Sequence, residues 1–159
     1  MVESADTAGA GALSPPIPGK HPTHQFYWDA VARREIQLLK CLDCGHFVHY
    51  PRPVCPRCLS SDLRPETISG KGTLYSYTAV MQAGHPYFVD KIPYVIGVFE
   101  IDEEPGVRMP GGIDAAEEDL RCGMPMEVVF RDVTDTLVLP FFRPAELSGG
   151  AGGAERSTR

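Results

Sequence analysis

Four cysteines in two closely spaced pairs constrain this chain more than any other feature. They form Cys41-Leu-Asp-Cys44 and Cys55-Pro-Arg-Cys58, with ten residues between the pairs. Each Cys-x-x-Cys turn aims two thiolates at one point, and two such turns joined by a hairpin build a tetrahedral four-sulfur cage. Because protein fills all four positions, the metal is predicted to be structural rather than catalytic. Zinc is the first choice, and iron, which occupies rubredoxin-like sites, is the alternative.

Other uses of these cysteines are less favoured. Two disulfides would suit a secreted protein, but the N-terminus has neither the basic start nor the continuous apolar run of a secretory signal. A cytoplasmic protein is therefore expected. Two pairs so close together also favour a metal over a redox pair. His46 or His49 could replace a cysteine ligand, although four cysteines already suffice. The lone Cys122 is predicted to be a small buried residue.

Composition and charge exclude two classes of protein. No run of 18 apolar residues exists, so no transmembrane helix is predicted. Residues 69–147 carry six basic and thirteen acidic side chains, a net charge of −7, which repels phosphate backbones. We therefore expect no membrane and no nucleic acid as partners. In the nucleic-acid alternative, Tyr75, Tyr77 and Phe99 would be the stacking platforms.

A short helix, a ribbon and a second half over residues 69–147 lie between two low-complexity tails. Residues 1–23 and 148–159 are predicted to be a disordered tail and a flexible tail. Residues 24–37 form an aromatic helical segment, with Thr23 as the expected cap of a helix over 24–35. Tyr27, Val31 and Arg34 share one face of that helix. A second face is also aromatic, so it either contacts a partner or folds back on the ribbon, residues 38–68.

The second half of the chain, residues 69–147, has the pattern of a small barrel. The 16 glycines and 15 prolines of the chain favour short strands over long helices. An Asp114-Ala-Ala-Glu117 capping box predicts a helix of about seven residues that Gly123 closes, between the third and fourth strands. This order matches an OB-fold, with an SH3-like barrel or a small open sheet as alternatives. The strands are predicted over residues 73–82, 93–102, 107–113, 124–133 and 136–142.

The order of these parts resembles the zinc-ribbon/OB-fold family associated with acyl-CoA enzymes, known as domain of unknown function family thirty-five. The resemblance implies a mostly β fold with an N-terminal helix, a rubredoxin-like four-Cys zinc ribbon and a five-stranded OB-fold barrel. It spans residues 24–147. The matching stretches are Cys41-Leu-Asp-Cys44-Gly45 and residues 51–58, 69–78, 93–96 and 139–144.

The resemblance also implies a function. Members look like non-catalytic partners of thiolase-fold enzymes, among them condensing enzymes and lipid-transfer-protein-like aldolases of steroid side-chain breakdown. Others pair with hotdog-fold enoyl-CoA hydratases. The expected protein is thus an accessory subunit, in a hetero-tetramer, that helps to shape a channel for a CoA thioester. No catalytic residue carries over. An independent enzyme would need a general base, for which His85 and Asp90 are the candidates.

Two sets of residues are candidates for contact with ligand or partner. The acidic clusters at 103–104 and 117–119 would repel CoA phosphates, so four basic residues are the expected CoA contacts. They are Lys71, Lys91, Arg52 and Arg57. Aromatic residues of the helix and of the loop 83–92 are expected to contact a partner or an acyl chain, unless the loop packs on the barrel mouth. They are Phe26, Tyr27, Trp28, His85, Tyr87 and Phe88.

Overall fold

The computed structural model describes residues 14–19 and 21–145. The predicted tail 148–159 lies outside the described residues, as does most of the predicted tail 1–23. Among the described residues, no helix is long and apolar enough to cross a membrane.

In the described part of the N-terminal half, one short α-helix precedes a three-stranded antiparallel sheet. Helix α1 spans Gln25–Ala32, after a 3₁₀ turn at Pro22–His24. The sheet has the order β2-β1-β3. Its strands are β1 (Ile36–Cys41), β2 (Phe47–Val48) and β3 (Leu63–Ile68). The two cysteine turns lie in the connections that follow β1 and β2.

The C-terminal half is a closed five-stranded barrel with the order β4-β5-β6-β8-β7. Strands β6 and β8 pair in parallel, and every other pair is antiparallel. This confirms the predicted OB-fold. The strands are β4 (Lys71–Val80), β5 (Tyr94–Ile101), β6 (Arg108–Ile113), β7 (Pro125–Thr134) and β8 (Leu137–Pro144).

Gly72 lies at the point where the barrel closes. It pairs with Ile101 of β5 on one side and with Met126 of β7 on the other. A Cβ atom at this position would collide with the carbonyl oxygen of Glu100 and would lie 2.6 Å from the ring of Phe99. Only glycine allows the three strands to approach so closely.

The aromatic helix is shorter than predicted, and Thr23 does not cap it. His24 precedes the helix without a side-chain cap bond, and the Thr23 amide instead donates to the His21 ring. The helix ends at Ala32 because Arg34 adopts a left-handed φ of 62° that redirects the chain into β1. Arg34 therefore does not share a helical face with Tyr27. Its guanidinium binds the carboxylate of Asp132, at 2.8 and 3.0 Å, in β7.

Two predictions between β6 and β7 were wrong. Instead of a seven-residue helix there is a single 3₁₀ turn, Glu117–Asp119, without a side-chain cap. The Asp114 carboxylate pairs with Arg131, and its amide donates to the carbonyl of Phe142, so it extends the sheet rather than capping a helix. Leu120 is extended and buried in the core. Cys122, predicted to be buried, is exposed in the following turn.

One hydrophobic core joins the helix, the ribbon and the barrel. Val31 of α1 and Ile36 and Leu38 of β1 belong to the same buried cluster as Leu74 and Phe99 of the barrel. The ring of Phe99 is fully buried and stacks on Phe142, with 4.5 Å between the ring centroids. Phe99 is therefore not available as a stacking platform for bases. The ribbon and the barrel share their interior, so neither is an independent module.

Candidate metal centre and surrounding surfaces

Two matching turns hold the four cysteines. In the first turn the amide of Gly45 donates to the carbonyl of Cys41, and in the second the amide of Leu59 donates to that of Cys55. Each turn ends in a left-handed residue, Gly45 with a φ of 74° and Leu59 with a φ of 63°. Glycine adopts this conformation freely, whereas leucine does so at a cost. Glycine at position 45 indicates this conformation in the sequence, whereas nothing in the sequence indicates it for Leu59.

The four sulfur atoms converge as predicted. The Sγ atoms of Cys41, Cys44, Cys55 and Cys58 all lie within 4.8 Å of one another. The Cys41–Cys58 and Cys44–Cys55 sulfur distances are 3.5 and 3.7 Å. A tetrahedron with zinc–sulfur bonds of 2.3 Å has edges of about 3.8 Å. The donor set and its size therefore fit a structural zinc ion.

The backbone around Cys41 prepares its sulfur for a metal. Burial raises the pKa of the Cys41 thiol, but hydrogen bonds from the amides of Cys44 and Asp43 lower it, to about 7 overall. Since the thiolate is the form that binds metal, these amides favour the ligand state. Cys41 and Cys55 are fully buried.

Neither candidate histidine joins the cluster. His46 donates from Nδ1 to the carboxylate of Glu104 at 2.7 Å, and the same carboxylate accepts the amide of Phe47 at 2.7 Å. Arg57 of the second cysteine turn lies 3.5 Å from Glu104. Burial raises the pKa of the Glu104 carboxyl, but these hydrogen bonds and charges lower it below its usual range. Glu104, in the turn between β5 and β6, thus binds both cysteine turns, a role that the sequence did not reveal.

The basic residues proposed for CoA do not form one cluster. Lys71 begins β4, and Lys91 precedes β5, which pairs with the far end of β4. Nine residue steps of about 3.3 Å separate the two ends of β4, a distance of about 30 Å. Arg57 is paired with Glu104, and Lys91 Nζ lies 3.9 Å from the centroid of the Tyr87 ring. Arg52 is exposed.

The six aromatic candidates occupy two separate regions. Tyr27 and Trp28 pack against the core, and their rings meet edge to face at 5.1 Å, whereas Phe26 is half-buried. In the loop, the ring of Phe88 stacks on Tyr94 of β5 at 5.1 Å and contacts Tyr87. His85 accepts the amide of Tyr87 through Nδ1, which is a local turn contact. The loop therefore packs partly against its own barrel, while Val89 and Ile92 remain exposed.

An apolar strip runs across the outside of β4, β5 and β6. Val98 lies opposite Pro110, and Ile96 lies opposite Gly112. Along β5 they alternate with the buried Val95, Gly97 and Phe99, so the two rows face outward. They line a shallow groove of about 450 Å³ together with Ser76 and Thr78. Ile96 remains 41% exposed. We call this region, defined by Ile96, Val98, Pro110 and Gly112, the outer strip. The sequence alone could not reveal it, because it depends on the register between strands.

Comparison with known proteins agrees with this architecture. Residues 28–64 match the family model "ChsH2, rubredoxin-like zinc ribbon domain", and residues 66–131 match "ChsH2, C-terminal OB-fold domain". A DUF35 domain-containing scaffold protein of Methanocaldococcus jannaschii is 35% identical over 99 residues, which cover 61% of this chain and 68% of that protein. The chain belongs to the DUF35 family. This confirms the family resemblance drawn from the sequence.

Two further relatives extend the comparison. A probable enoyl-CoA hydratase alpha subunit of Thermomonospora curvata is 31% identical over 131 residues, 82% of this chain. The chain spans only 40% of the length of that relative. A solved structure described as an Ltp2-ChsH2(DUF35) aldolase contains a chain that is 30% identical and matches with a TM-score of 0.71. That match covers 80% of the present DUF35 protein and 98% of the solved chain.

Proposed function

We propose that this DUF35 protein is a non-catalytic accessory subunit that pairs with a thiolase-fold enzyme acting on CoA thioesters. The observation that carries the proposal is the likeness to a DUF35 chain in an Ltp2-ChsH2 aldolase, which extends over 98% of that chain. The described residues also favour an accessory role. His85, the candidate general base, uses its Nδ1 within its own turn. The zinc site has four protein ligands and so no position for a substrate.

The outer strip is the surface that best suits such a partner. Its rows of Ile96 with Gly112 and Val98 with Pro110 form an apolar area without a charged side chain. Apolar area of this kind on a strand surface is typical of the centre of a protein interface. The half-buried Phe26 on α1 remains a further candidate contact. Steroid side-chain substrates and a hetero-tetramer belong to the same proposal.

Any contact with CoA is proposed at the Lys91 end of the barrel. Lys71 and Arg57 lie beside the turn that carries Asp102, Glu103 and Glu104, and this negative charge opposes phosphate. Lys91 lies at the opposite end, next to the exposed Val89 and Ile92. A phosphate of CoA would pair there with the Lys91 cation, and the pantetheine arm would lie on the apolar side chains of Val89 and Ile92.

A hotdog-fold enoyl-CoA hydratase is the second candidate partner. It is favoured by the 31% identity to the probable enoyl-CoA hydratase alpha subunit of Thermomonospora curvata. Both candidates predict the same accessory role and differ in the enzyme that carries the chemistry.

A pull-down of the tagged full-length protein from its host, followed by reconstitution, tests the proposal. We expect a thiolase-fold protein to co-purify, and the purified pair to turn over a CoA thioester faster than the enzyme alone. Ile96→Asp should weaken the complex at least tenfold, because it buries a charge at the interface. Val54→Asp is the matched control, since Val54 is also 41% exposed but lies on the ribbon. Failure of every thiolase-fold and hotdog-fold protein of the host to bind would overturn the proposal.

A further inference from the structure

A short proline-rich segment, residues 14–19, lies at the rim of a second groove, which opens where α1, the ribbon and β6 meet. We call this segment the strap. Pro18 and Gly19 of the strap line the groove on one side, and Met109 and Pro110 of β6 line it on another. Six aromatic or imidazole rings line it as well, and they belong to His21, His24, Tyr27, Trp28, His49 and Tyr50. We call it the ring groove.

The sequence of the strap restricts its backbone. Proline fixes φ at about −65°, and a residue that precedes a proline is biased toward extended or polyproline II conformation. Pro15, Pro16 and Pro18 are prolines, and Ser14 and Ile17 each precede one. The strap is neither helix nor strand in the structure. These constraints favour polyproline II, a helix with three residues per turn.

The burial of the strap follows this period of three. Pro15 and Pro18 are half-buried, whereas Pro16 and Ile17 between them are exposed, Ile17 to 72%. One edge of the strap is therefore covered by the protein, and the other faces solvent. Pro18, which lines the ring groove, lies on the covered edge.

The ring groove has the chemistry that binds polyproline II segments. Such segments dock into grooves lined by aromatic side chains, and they lose little entropy because their conformation is preformed. The rings of Tyr27 and Trp28 meet at 85°, so they present walls in two directions. Polyproline II carbonyl groups have no internal hydrogen bonds. The Trp28 indole N–H, which has no partner among the described residues, is a donor for such a carbonyl.

The strap can leave its position without disturbing the interior. No strap residue belongs to the buried core cluster. About 580 Å³ of open space lies beside Pro18 and Gly19, so the rings are not enclosed by the strap.

We propose that the ring groove is a binding site for proline-rich segments in the polyproline II conformation, and that the strap is its resident ligand. Pro18 lies on the rings, and Pro15 follows one turn away on the same edge. Because the strap is joined to α1 by a short connection, its local concentration is high and a weak intrinsic affinity suffices to hold it. Pro110 lines both the ring groove and the groove of the outer strip, so release of the strap uncovers ring surface beside that strip. The proposal does not rest on the proposed function.

The test uses the full-length, zinc-loaded protein and a synthetic peptide with the sequence of residues 14–19. Trp28 is the only tryptophan of the chain, so its indole N–H gives a single cross-peak in a ¹⁵N spectrum. Pro18→Asp places a carboxylate against the rings, so it should release the strap and move this peak. Pro16→Asp is the matched control, since it adds the same charge on the exposed edge and should leave the peak in place. Pro15→Asp, on the covered edge, should act like Pro18→Asp.

The peptide then tests whether the strap is a ligand. Added to Pro18→Asp, it should return the Trp28 peak saturably toward the wild-type position. It should bind the wild-type protein about fivefold more weakly, because the resident strap competes. In the Pro18→Asp background, Tyr50→Leu should weaken the peptide, whereas Tyr75→Leu, at an exposed tyrosine outside the groove, should not.

Four results would each overturn the proposal. They are an unmoved Trp28 peak in both Pro15→Asp and Pro18→Asp, equal shifts in Pro16→Asp and Pro18→Asp, equal peptide affinity for wild type and Pro18→Asp, and equal binding of a peptide in which alanine replaces all three prolines. A wild-type denaturation midpoint shows that each variant is folded when its spectrum is recorded.

Discussion

Nδ1 of His46 lies 2.7 Å from the carboxylate of Glu104, 58 residues further along the chain. The contact joins the first cysteine turn to the turn between β5 and β6. Because the same carboxylate also accepts the Phe47 amide and faces Arg57, one acidic side chain connects the metal centre to the barrel.

Replacing Glu104 should therefore destabilise the whole chain. In Glu104→Gln the side chain loses the ion pair with Arg57 and has one acceptor oxygen fewer for the His46 ring and the Phe47 amide, so we expect a loss of about 1–3 kcal/mol in the free energy of unfolding. Urea denaturation of the zinc-loaded protein measures it. Glu118→Gln, at an exposed position, should stay within about 0.5 kcal/mol of wild type. Equal midpoints for the two variants would show that the Glu104 contacts contribute nothing.

Metal removal should unfold more than the ribbon. We expect one zinc ion per chain by elemental analysis, and a chelator at neutral pH should abolish cooperative unfolding, since structural zinc contributes on the order of 10 kcal/mol. Cys55→Ser should reproduce the effect. Cys122→Ser, which alters an exposed cysteine outside the cluster, is the control and should retain full zinc content. Iron in place of zinc, or a metal-free chain with an unchanged midpoint, would contradict this expectation.

Gly72→Ala tests the closure of the barrel. The added methyl group would meet the Phe99 ring at 2.6 Å and the Glu100 backbone, neither of which can withdraw without moving β5. Overpacking of this kind typically costs about 1–3 kcal/mol, and a backbone collision costs more. Gly84→Ala is the matched control because a Cβ there meets nothing within 4 Å. The midpoint of thermal unfolding is measured for both variants. Equal midpoints for Gly72→Ala and Gly84→Ala would refute the prediction that closure of the barrel requires glycine at position 72.

Leu59 offers a route to a more stable protein. It is 76% exposed and has a φ of 63°, so its side chain contributes little packing to offset a strained backbone. Asparagine tolerates the left-handed region better, and Leu59→Asn should raise stability by about 0.5–1 kcal/mol. Leu42→Asn, at an exposed leucine of the first cysteine turn, should produce no gain. Denaturation midpoints compare the two, and a loss in Leu59→Asn would be contrary to expectation.

His49 should make stability depend on mildly acidic pH. Its folded pKa of about 4 lies below the unfolded value near 6.5, so the unfolded chain binds the extra proton first. The native state thus loses up to about 3 kcal/mol as the pH falls from 6.5 to 4. His49→Phe removes this contribution, while thiolate and carboxylate titration remain in both proteins. The difference between the two pH profiles isolates His49, and parallel profiles would contradict the burial of its ring.

The parts that sequence could predict are those set by local spacing. Each Cys-x-x-Cys turn places its two sulfur atoms through contacts between residues only a few positions apart. Runs of β-branched and aromatic residues predicted strands, which the barrel confirms. The predictions that failed depended on distant partners. Asp114 has the spacing of a helix cap, but Arg131 in β7 takes its carboxylate. Arg34 fits a helical face, but Asp132 draws it out of the helix.

The residues of the candidate site also fall into those that local spacing predicts and those that depend on distant partners. The metal ligands are evident from the sequence, whereas at Glu104 the sequence predicts only an acidic surface, because nothing nearby along the chain indicates a link to His46. The outer strip depends on the pairing of Val98 with Pro110, and His24, which precedes α1, lines a groove together with His49 of the ribbon. Such neighbours follow from tertiary packing, which local patterns do not encode.

The shared core has a consequence for how such chains can be recombined. The two matched segments meet at residues 64–66, in the middle of β3 (Leu63–Ile68), and Ile68 at the end of this strand packs in the core with Phe99. In a chimera that joins the ribbon of one relative to the barrel of another, the core residues of the two parts would not fit each other, and Glu104 would lose its matching partners on the ribbon. A working exchange must therefore carry the β5–β6 turn with the ribbon.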